Sequence, residues 1–300
     1  MALTVIQAAA WPTIRDSLPP AEFLLDPFIP ARAKVIIHGP PSCGKSAFIW
    51  GAMNAIQRGE DYLGFTTKRA NCLLVSPDMN VHEIKHRWGL TFEPAFDFLC
   101  VPPFDCTRPN FLDTTIAATV RTHVQEHNIG LVAFDALGGI HSGKSNKDDE
   151  TADAVDRVLD HWLPGIGVAL LHHDKKTRYG QDGEPMEPTD EDFLGSNKWR
   201  ANATSQLHMW PQANHMSLLK HAKSQVSAVY QDQIKLYIDQ YGRAELFNQA
   251  RAADVIRKYS EAVSQLKLQG LSLTEQDRRV AEFYGKDERT VRRWRSLAKP

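Results

Sequence analysis

The residues with the clearest chemistry lie in one short loop of the sequence. Gly39 to Ser46 reads GPPSCGKS and matches the pattern G-x-x-x-x-G-K-[ST] at every fixed position, after an apolar run and before a helix-like run. The glycines of such a loop let backbone N–H groups point at phosphate oxygens, while Lys45 neutralises the phosphates and Ser46 ligates magnesium. The sequence therefore predicts a nucleoside triphosphate site at Gly39, Pro40, Pro41, Ser42, Cys43, Gly44, Lys45 and Ser46.

A magnesium ion at this loop needs a second oxygen ligand, which is expected at the end of a neighbouring buried strand. The run GLVAFDALGG places four apolar residues, 131–134, directly before Asp135, in the arrangement known as Walker B. An acidic residue that closes a strand is commonplace by itself. Together with the phosphate loop, it predicts that Ser46 and Asp135 hold Mg²⁺.

The segments around these residues alternate between short apolar runs and helix-like runs. The predicted strands are 34–38, 71–76, 96–101, 130–135 and 167–173, and the predicted helices are 46–58, 81–88, 112–127 and 150–162. Such alternation is typical of an α/β fold with a parallel sheet covered by helices on both faces. Two more extended segments, 205–210 and 216–222, precede a predicted hairpin that turns at Tyr241–Gly242.

Proline content and a change of pattern divide the chain into three parts. Pro19, Pro20, Pro27 and Pro30 exclude a long helix near the N-terminus, so residues 1–30 are predicted to form a strap that leads into the core. The alternating core is expected to span residues 31–247. Residues 248–300 have a helical pattern, and from 251 onward they include twelve basic and seven acidic residues, which suits contact with phosphate.

The composition is that of an ordinary globular protein. Hydrophobic residues make up 42% of the chain and charged residues 24%, and the formal net charge of −1 excludes a protein that coats nucleic acid all over. No apolar run approaches the roughly 18 residues of a membrane helix, and no basic segment precedes the first apolar stretch. The four cysteines form no C-x-x-C pair, so neither a disulfide framework nor a zinc ribbon is indicated. We expect a cytoplasmic protein with no membrane partner.

These elements, in this order, resemble the RecA-like hexameric ATPases, and most closely the plasmid RepA-type replicative DNA helicases and their phage relatives. The resemblance covers about Asp26 to Phe247. It implies a RecA-like P-loop NTPase core, a homo-oligomeric ring with six subunits, ATP and Mg²⁺ bound between subunits, and single-stranded DNA in a central pore. The implied function is ATP-driven movement along DNA, or its unwinding, in the replication of a plasmid, phage or other mobile element.

The resemblance also implies roles for residues at the ends of two further strands. In the family an acid, typically within D-G-E-M-P, is the base for the attacking water; here SPDMNVHEIKHRW places Asp78 there, with the shorter aspartate side chain. The alternative is that Asp78 only caps the following helix. The run VALLHHDKK matches the family's polar pair that senses the γ-phosphate, so His172 and His173 are the expected sensors, with a purely structural pair as the alternative.

Basic residues are implied to act on a neighbouring subunit and on DNA. Lys223 is the closest match to the family's trans-acting cation, with Lys220 and Arg200 in reserve. Two long polar loops correspond to the family's pore loops, and the alternative is that they are only solvated loops. The basic residues of these loops are Lys144, Lys147, Lys175, Lys176 and Arg178.

The C-terminal run DRRVAEFYGKDERTVRRWR has the pattern of a helix-turn-helix. Its first helix has apolar Val280, Ala281 and Phe283, a turn follows at Gly285, and Val291 and Trp294 are predicted to face inward on the second helix. This second helix suits the major groove of duplex DNA, and the alternative is docking on a neighbouring subunit or a replication partner. Its predicted exposed cations are Arg289, Arg292, Arg293 and Arg295.

Two other functions compete with the helicase interpretation. The same phosphate site suits a non-translocating ATP-dependent DNA-binding regulator or a helicase loader. A distant alternative is a zinc metallopeptidase, because His82, Glu83 and His86 satisfy H-E-x-x-H. A third zinc ligand is not evident, and Phe92 stands where the longer form of the motif has histidine.

Overall fold

A nine-stranded sheet organises the structure, which is a computed structural model. It describes residues 6–88, 93–101, 110, 113–139, 149–180, 185–212, 216–239, 243–247, 259–266, 268, 270–285, 288, 291–292 and 295. The strands are β1 (Phe23–Leu25), β2 (Ile29–Pro30), β3 (Lys34–Gly39), β4 (Asn71–Asn80), β5 (Asp97–Val101), β6 (Ile129–Phe134), β7 (Gly167–His173), β8 (Ser205–Pro211), β9 (Met216–Ser224), β10 (Ile234–Ile238) and β11 (Ala244–Leu246).

Helices cover this sheet and connect its strands. They include α1 (Trp11–Ser17), α2 (Lys45–Arg58), α3 (Val81–Trp88), α4 (Thr114–Glu126), α5 (Asp149–Trp162), α6 (Lys198–Asn202) and α7 (Leu273–Tyr284), and described residues 259–265 are helical as well. Short 3₁₀ turns lie at Ala8–Ala10, Leu137–Gly139 and Asp190–Asp192. None of the helices in the described part of the chain combines the length and apolar character needed to cross a membrane.

The strand order of the large sheet is β11-β10-β9-β8-β3-β7-β6-β4-β5. The strands from β8 to β5 in this order are parallel to their neighbours, and β9, β10 and β11 extend the sheet with antiparallel pairing. Since parallel strands end at the same edge, the segments that follow β3, β7 and β6 lie side by side. The predicted mostly parallel α/β sheet is therefore confirmed.

Alternation of apolar side chains buries both faces of the sheet. In β3, Val35 and Ile37 pack with α2 on one face, whereas Ile36 packs with α4 and α5 on the other. Every one of these three side chains is fully buried. This continuous apolar character is what a strand needs when helices cover both of its faces.

Several predicted boundaries shift for local reasons. Helix α4 begins at Thr114, two residues after the predicted start, because the Asp113 side chain accepts a hydrogen bond from Thr115 N at 2.8 Å and caps the helix. Strand β4 continues past the predicted end at 76 to Asn80. Strands β10 and β11 form the predicted hairpin, whose expected turn at Tyr241–Gly242 lies outside the described residues.

The N-terminal arm is more structured than a strap. It contains the short helix α1, with a proline in its first turn, and then the antiparallel pair β1–β2. Leu24, Leu25, Phe28 and Ile29 are all buried in the same cluster as α2. Packing therefore joins residues 23–30 to the core, ahead of the predicted boundary at residue 31.

The C-terminal residues form a separate apolar cluster, in which Val280, Ala281 and Val291 are buried as predicted. Phe283 was expected to face inward, but half of it is exposed. Arg295 was expected on the outer surface, but its guanidinium bonds both carboxylate oxygens of Asp277, at 2.9 and 3.0 Å. Trp294, Arg289 and Arg293 lie outside the described residues.

The Arg295–Asp277 pair gives a test of how this C-terminal cluster is stabilised. The side chain of Asp277 is 1% exposed, so Arg295→Ala leaves a buried carboxylate without its main partner. We expect a loss of about 3–5 kcal/mol in the stability of this segment, measured by hydrogen exchange of α7. Arg292→Ala is the control, because Arg292 is 57% exposed and 3.8 Å from Asp277, and should change stability by less than about 1 kcal/mol. Equal protection of α7 in both variants would contradict this account.

Candidate nucleotide-binding site

The phosphate loop connects β3 to α2, and its glycines are required by close contacts. A Cβ on Gly39 would lie 2.0 Å from the carbonyl oxygen of Met209 and 2.9 Å from Cys43 Sγ. Gly44 has φ of +90°, and a Cβ there would lie 2.8 Å from Ile238 Cδ1. Both positions therefore exclude a side chain, and the loop passes close against β8 and β10.

Lys45 is buried at the start of α2, and its ammonium donates hydrogen bonds to carbonyl oxygens of its own loop. Its Nζ donates to the carbonyl oxygens of Gly39 at 2.8 Å and Pro40 at 2.9 Å. Helix α2 has no acidic residue in its first turn, so its positive end is not neutralised by its own side chains. Cys43 is also buried, and burial raises the pKa of its thiol. The loop thus presents one ammonium and one helix N-terminus, which suit an anion.

Asp135 follows β6, and its side chain fits a cation. Its backbone N donates to Val75 O at 3.0 Å, and its carbonyl accepts a hydrogen bond from Ser76 Oγ at 3.2 Å. Its carboxylate oxygen Oδ2 is buried and has no hydrogen-bond partner among the described residues. A buried carboxylate oxygen without a donor is a suitable ligand for Mg²⁺, so the donor set of Asp135 and Ser46 fits this ion.

The two predicted sensor histidines take different positions at the end of β7. Nδ1 of His173 lies 3.4 Å from Nζ of Lys45. The residue His173 as a whole is exposed. His172 is buried, its Nε2 hydrogen-bonds the carbonyl oxygen of Leu194, and burial lowers its pKa to about 4. Consecutive strand residues point to opposite faces, so only His173 reaches the phosphate loop. His172 corresponds to the structural alternative.

Asp78 is exposed near the end of β4, beside the segment that follows Asp135. A Cβ on Gly139 would lie 2.3 Å from Oδ1 of Asp78, so the two segments are in contact. The cap of α3 is instead Asn80, whose Oδ1 accepts from His82 N at 2.9 Å and Glu83 N at 3.1 Å. Asn80 therefore holds the N-cap position of α3.

The zinc-peptidase pattern, His82, Glu83 and His86, lies in α3, and its glutamate takes part in the cap of this helix. Oε2 of Glu83 accepts a hydrogen bond from Asn80 N at 2.8 Å, which completes a reciprocal cap. His82 and His86 are exposed. Within the described ranges, no group of three potential metal ligands includes His82, Glu83 or His86. The third ligand that a zinc site requires is therefore not found there.

The candidate trans-acting cations contact their own subunit. Nζ of Lys223 donates to the carbonyl oxygens of Arg200 at 3.3 Å, Ala201 at 3.0 Å and Ala203 at 2.8 Å, which stabilises the C-terminus of α6. Burial also lowers the pKa of Lys223. Nζ of Lys220 pairs with Glu187 at 2.8 Å. Lys223 therefore makes intramolecular contacts in this chain, and its action on a neighbouring subunit stays a prediction.

The guanidinium of Arg200, the other reserve candidate, lies over the ring of Phe193, 5.6 Å from its centroid. Its Nε also donates a long hydrogen bond to Oε1 of Gln206, at 3.4 Å. Arg200 is thus held by its own subunit as well.

The loop after β7 folds back on itself as an irregular hairpin. Lys175 N donates to Asp192 O at 2.7 Å, and Met186 N donates to Arg178 O at 2.9 Å. Arg178 pairs with the Asp192 carboxylate at 2.7 Å, and Nζ of Lys175 donates to Glu191 O at 2.6 Å. Lys176 is exposed. The remaining predicted DNA contacts of the core, Lys144 and Lys147, lie outside the described residues.

Comparison with known proteins places this site in a family. Residues 5–179 match the family described as AAA domain, which is more than half of the 300-residue chain. The chain belongs to the AAA domain family. A search of curated protein sequences found no significant match.

Two solved structures share the fold of this AAA domain protein. The ATPase domain of G40P has 15% identity and a TM-score of 0.55, with 80% of this chain and 96% of that chain covered. The KaiC-like protein PH0186 from Pyrococcus horikoshii OT3 has 10% identity and a TM-score of 0.51, with 77% and 98% covered. The core is thus a RecA-like P-loop NTPase fold, as the sequence predicted.

The AAA domain core also contains site residues that the sequence analysis did not select. Asp174, directly after His173, contacts His38 in β3 and His208 in β8. The signal in the sequence was an acid next to the His-His pair and a histidine next to Gly39. Asp174, His38 and His208 come into contact because the strand order places β3 between β7 and β8.

The unpaired oxygen of Asp135 yields a test of the magnesium site. Asp135→Asn removes the negative charge, so we expect the enhancement of ATP binding by Mg²⁺ to fall on the order of 10–100-fold, measured by titrating a fluorescent ATP analogue with and without Mg²⁺. Ser76→Ala is the matched control, because the hydrogen bond of Ser76 Oγ goes to the backbone carbonyl of Asp135 and not to its carboxylate. Unchanged Mg²⁺ dependence in Asp135→Asn would remove this residue from the metal site.

Proposed function

We propose that the protein is a ring-forming ATPase that hydrolyses ATP with Mg²⁺ and uses the energy to move along or unwind DNA. The observation that carries the proposal is the convergence of Lys45, His173 and Asp135 at the ends of three adjacent strands. Lys45 Nζ lies 3.4 Å from His173 Nδ1, and Asp135 holds a buried oxygen that lacks a partner in the described residues. AAA domain membership and the fold support ATPase activity.

Each group in this arrangement has a distinct task in phosphoryl transfer. Lys45 can exchange the carbonyl oxygens of Gly39 and Pro40 for phosphate oxygens, because its ammonium donates up to three hydrogen bonds. Ser46 and Asp135 would hold Mg²⁺, which supplies charge neutralisation of the phosphates when bound. His173 lies beside Lys45, with Nδ1 3.4 Å from Nζ, so its ring would respond to a γ-phosphate that binds this ammonium.

Asp78 is the proposed base for the attacking water. It is exposed at the edge of the sheet where β6 also ends, and Asn80 performs the capping that would otherwise explain an acid there. The aspartate is one methylene shorter than the glutamate of the resembling family. With aspartate, the attacking water must therefore lie closer to the backbone at the end of β4 than it would with glutamate.

The DNA-related part of the proposal rests on the hairpin after His173 and on the C-terminal helices. The hairpin begins at the residue after His173, the proposed sensor. A shift of the His173 backbone would therefore pass along the chain to Lys175 and Lys176. Lys176 and Arg292 are exposed cations on these two elements. A RepA-type hexamer with single-stranded DNA in its pore, acting in the replication of a mobile element, is the form we propose from the resemblance.

The function is tested by two assays on the full chain. We expect ATP hydrolysis that single-stranded DNA stimulates, and ATP-dependent strand displacement on a forked duplex. Lys45→Ala should abolish both, because the β- and γ-phosphates lose their direct cationic partner. Undiminished turnover in Lys45→Ala would refute the ATPase assignment. ATP-dependent DNA binding without displacement would favour the regulator or loader instead of the translocase.

The role of Asp78 has its own test. Asp78→Asn should bind ATP normally while turnover falls by about 100-fold or more, since loss of a general base commonly reduces rates by 10²–10⁴. Glu83→Gln is the matched control, because Glu83 completes the cap of α3 and the amide oxygen can still accept from Asn80 N. Lost turnover in Glu83→Gln with normal turnover in Asp78→Asn would transfer the role to Glu83.

A further inference from the structure

A buried cluster of three side chains lies directly behind the phosphate loop. His38 precedes Gly39 in β3, His208 lies opposite His38 in β8, and Asp174 follows β7. Nδ1 of His38 is 3.1 Å from both carboxylate oxygens of Asp174, and Nε2 of His208 is 3.0 Å from Oδ2. The side chains of His38 and Asp174 are 3% and 1% exposed. Neither the phosphate-loop motif nor the sensor pair accounts for this cluster.

The two rings supply the hydrogen-bond donors that a buried carboxylate needs. An ionised carboxylate can only accept, and without donors its removal from water is strongly unfavourable. Burial by itself would raise the pKa of Asp174, but the hydrogen bonds from His208 and His38 outweigh burial and hold this pKa below its ordinary value. Burial lowers the pKa of His38. The cluster is therefore a carboxylate that accepts from Nδ1–H of a neutral His38 and from Nε2–H of His208.

Ring geometry supports this assignment of protons. The imidazoles of His38 and His208 are stacked, with centroids 4.1 Å apart and planes 22° from parallel. Two charged rings at this distance would repel each other strongly in a buried site. Nε2 of His38 is buried without a partner among the described residues, which fits a nitrogen that carries a lone pair instead of a proton.

Asp174 also holds the first residue of the phosphate loop through its backbone. Its N–H donates to Gly39 O at 2.9 Å, the same oxygen that accepts from Lys45 Nζ at 2.8 Å. The preceding residue is the sensor His173, and the bridge between Asp174 and Phe193 opens the hairpin. One residue therefore connects the phosphate loop, the sensor and the hairpin.

We propose that Asp174 is a positioning residue for ATP hydrolysis. Its carboxylate, held by His38 and His208, fixes the ends of β3, β7 and β8 relative to each other, and this sets the distance between His173 and Lys45. The proposal rests on the ATPase function proposed above. It goes further by assigning a task to three residues that belong to neither the phosphate loop nor the sensor pair.

The proton assignment is tested without any enzyme assay. In ¹⁵N-histidine-labelled wild-type protein, the ring nitrogens should show a protonated Nδ1 in His38 and a protonated Nε2 in His208, and metal analysis of the purified protein should find no stoichiometric transition metal in the cluster. Unprotonated nitrogens at both positions, with bound zinc that is lost in Asp174→Asn, would overturn the proposal and make the cluster a metal site.

The positioning role is tested by steady-state kinetics of variants. Asp174→Asn removes the charge and leaves one acceptor oxygen for two donors, so we expect kcat to fall about 10-fold or more while KM for ATP changes less than about threefold. His208→Leu should act in the same direction. His208→Gln keeps an N–H near the position of Nε2 and should retain most of the wild-type rate.

A matched control separates positioning from general destabilisation. His221 is a buried histidine in β9, at least as buried as His208, and its ring contacts Ser205 Oγ and Tyr230 N, away from the phosphate loop. His221→Leu should lower thermal stability as much as His208→Leu does and leave kcat unchanged. Equal losses of kcat in these two variants, or no rescue by His208→Gln, would overturn the proposal. An inactive wild type would instead refute the ATPase function, while the NMR result would still decide the hydrogen-bond arrangement.

Discussion

The carbonyl oxygen of Gly39 accepts two hydrogen bonds, and the rest of the site depends on them. One comes from Lys45 Nζ and the other from the backbone N–H of Asp174. The first curls the loop onto its own lysine, and the second ties the end of β7 to the end of β3. A side chain at position 39 would collide with Met209 O at 2.0 Å, so the arrangement requires glycine there.

The order of strands in the parallel sheet places the other polar residues of the candidate site next to this contact. Strand β7 lies between β3 and β6, so its last residue stands between the phosphate loop and Asp135. Helices α2, α4 and α5 bury both faces and leave the strand ends as the place where polar groups meet. The packed strands fix the positions of the backbone at this edge, and the polar side chains of the candidate site extend beyond the strand ends.

Much of this organisation could be predicted from the sequence, because it is local. The phosphate loop, Asp135 and the strands around them follow from residue order, periodicity and glycine placement. Features that depend on which elements become neighbours could not be predicted. The sequence did not show that only His173 of the pair faces Lys45, that Lys223 contacts the end of α6, or that Arg295 pairs with a buried acid. Asp174 was hidden for the same reason, since its partners lie 136 and 34 residues away along the chain.

The hydrogen bonds between Lys45 and its own loop also bear on how readily an anion leaves this site. A buried ammonium with no partner would be unfavourable, so a site that exposed one on release would hold its product tightly. Here the carbonyl oxygens of Gly39 and Pro40 accept hydrogen bonds from the ammonium. An anion that binds Lys45 must replace these two hydrogen bonds, so their strength is subtracted from the affinity that the ammonium alone would provide. The loop therefore favours exchange of a bound anion over its retention.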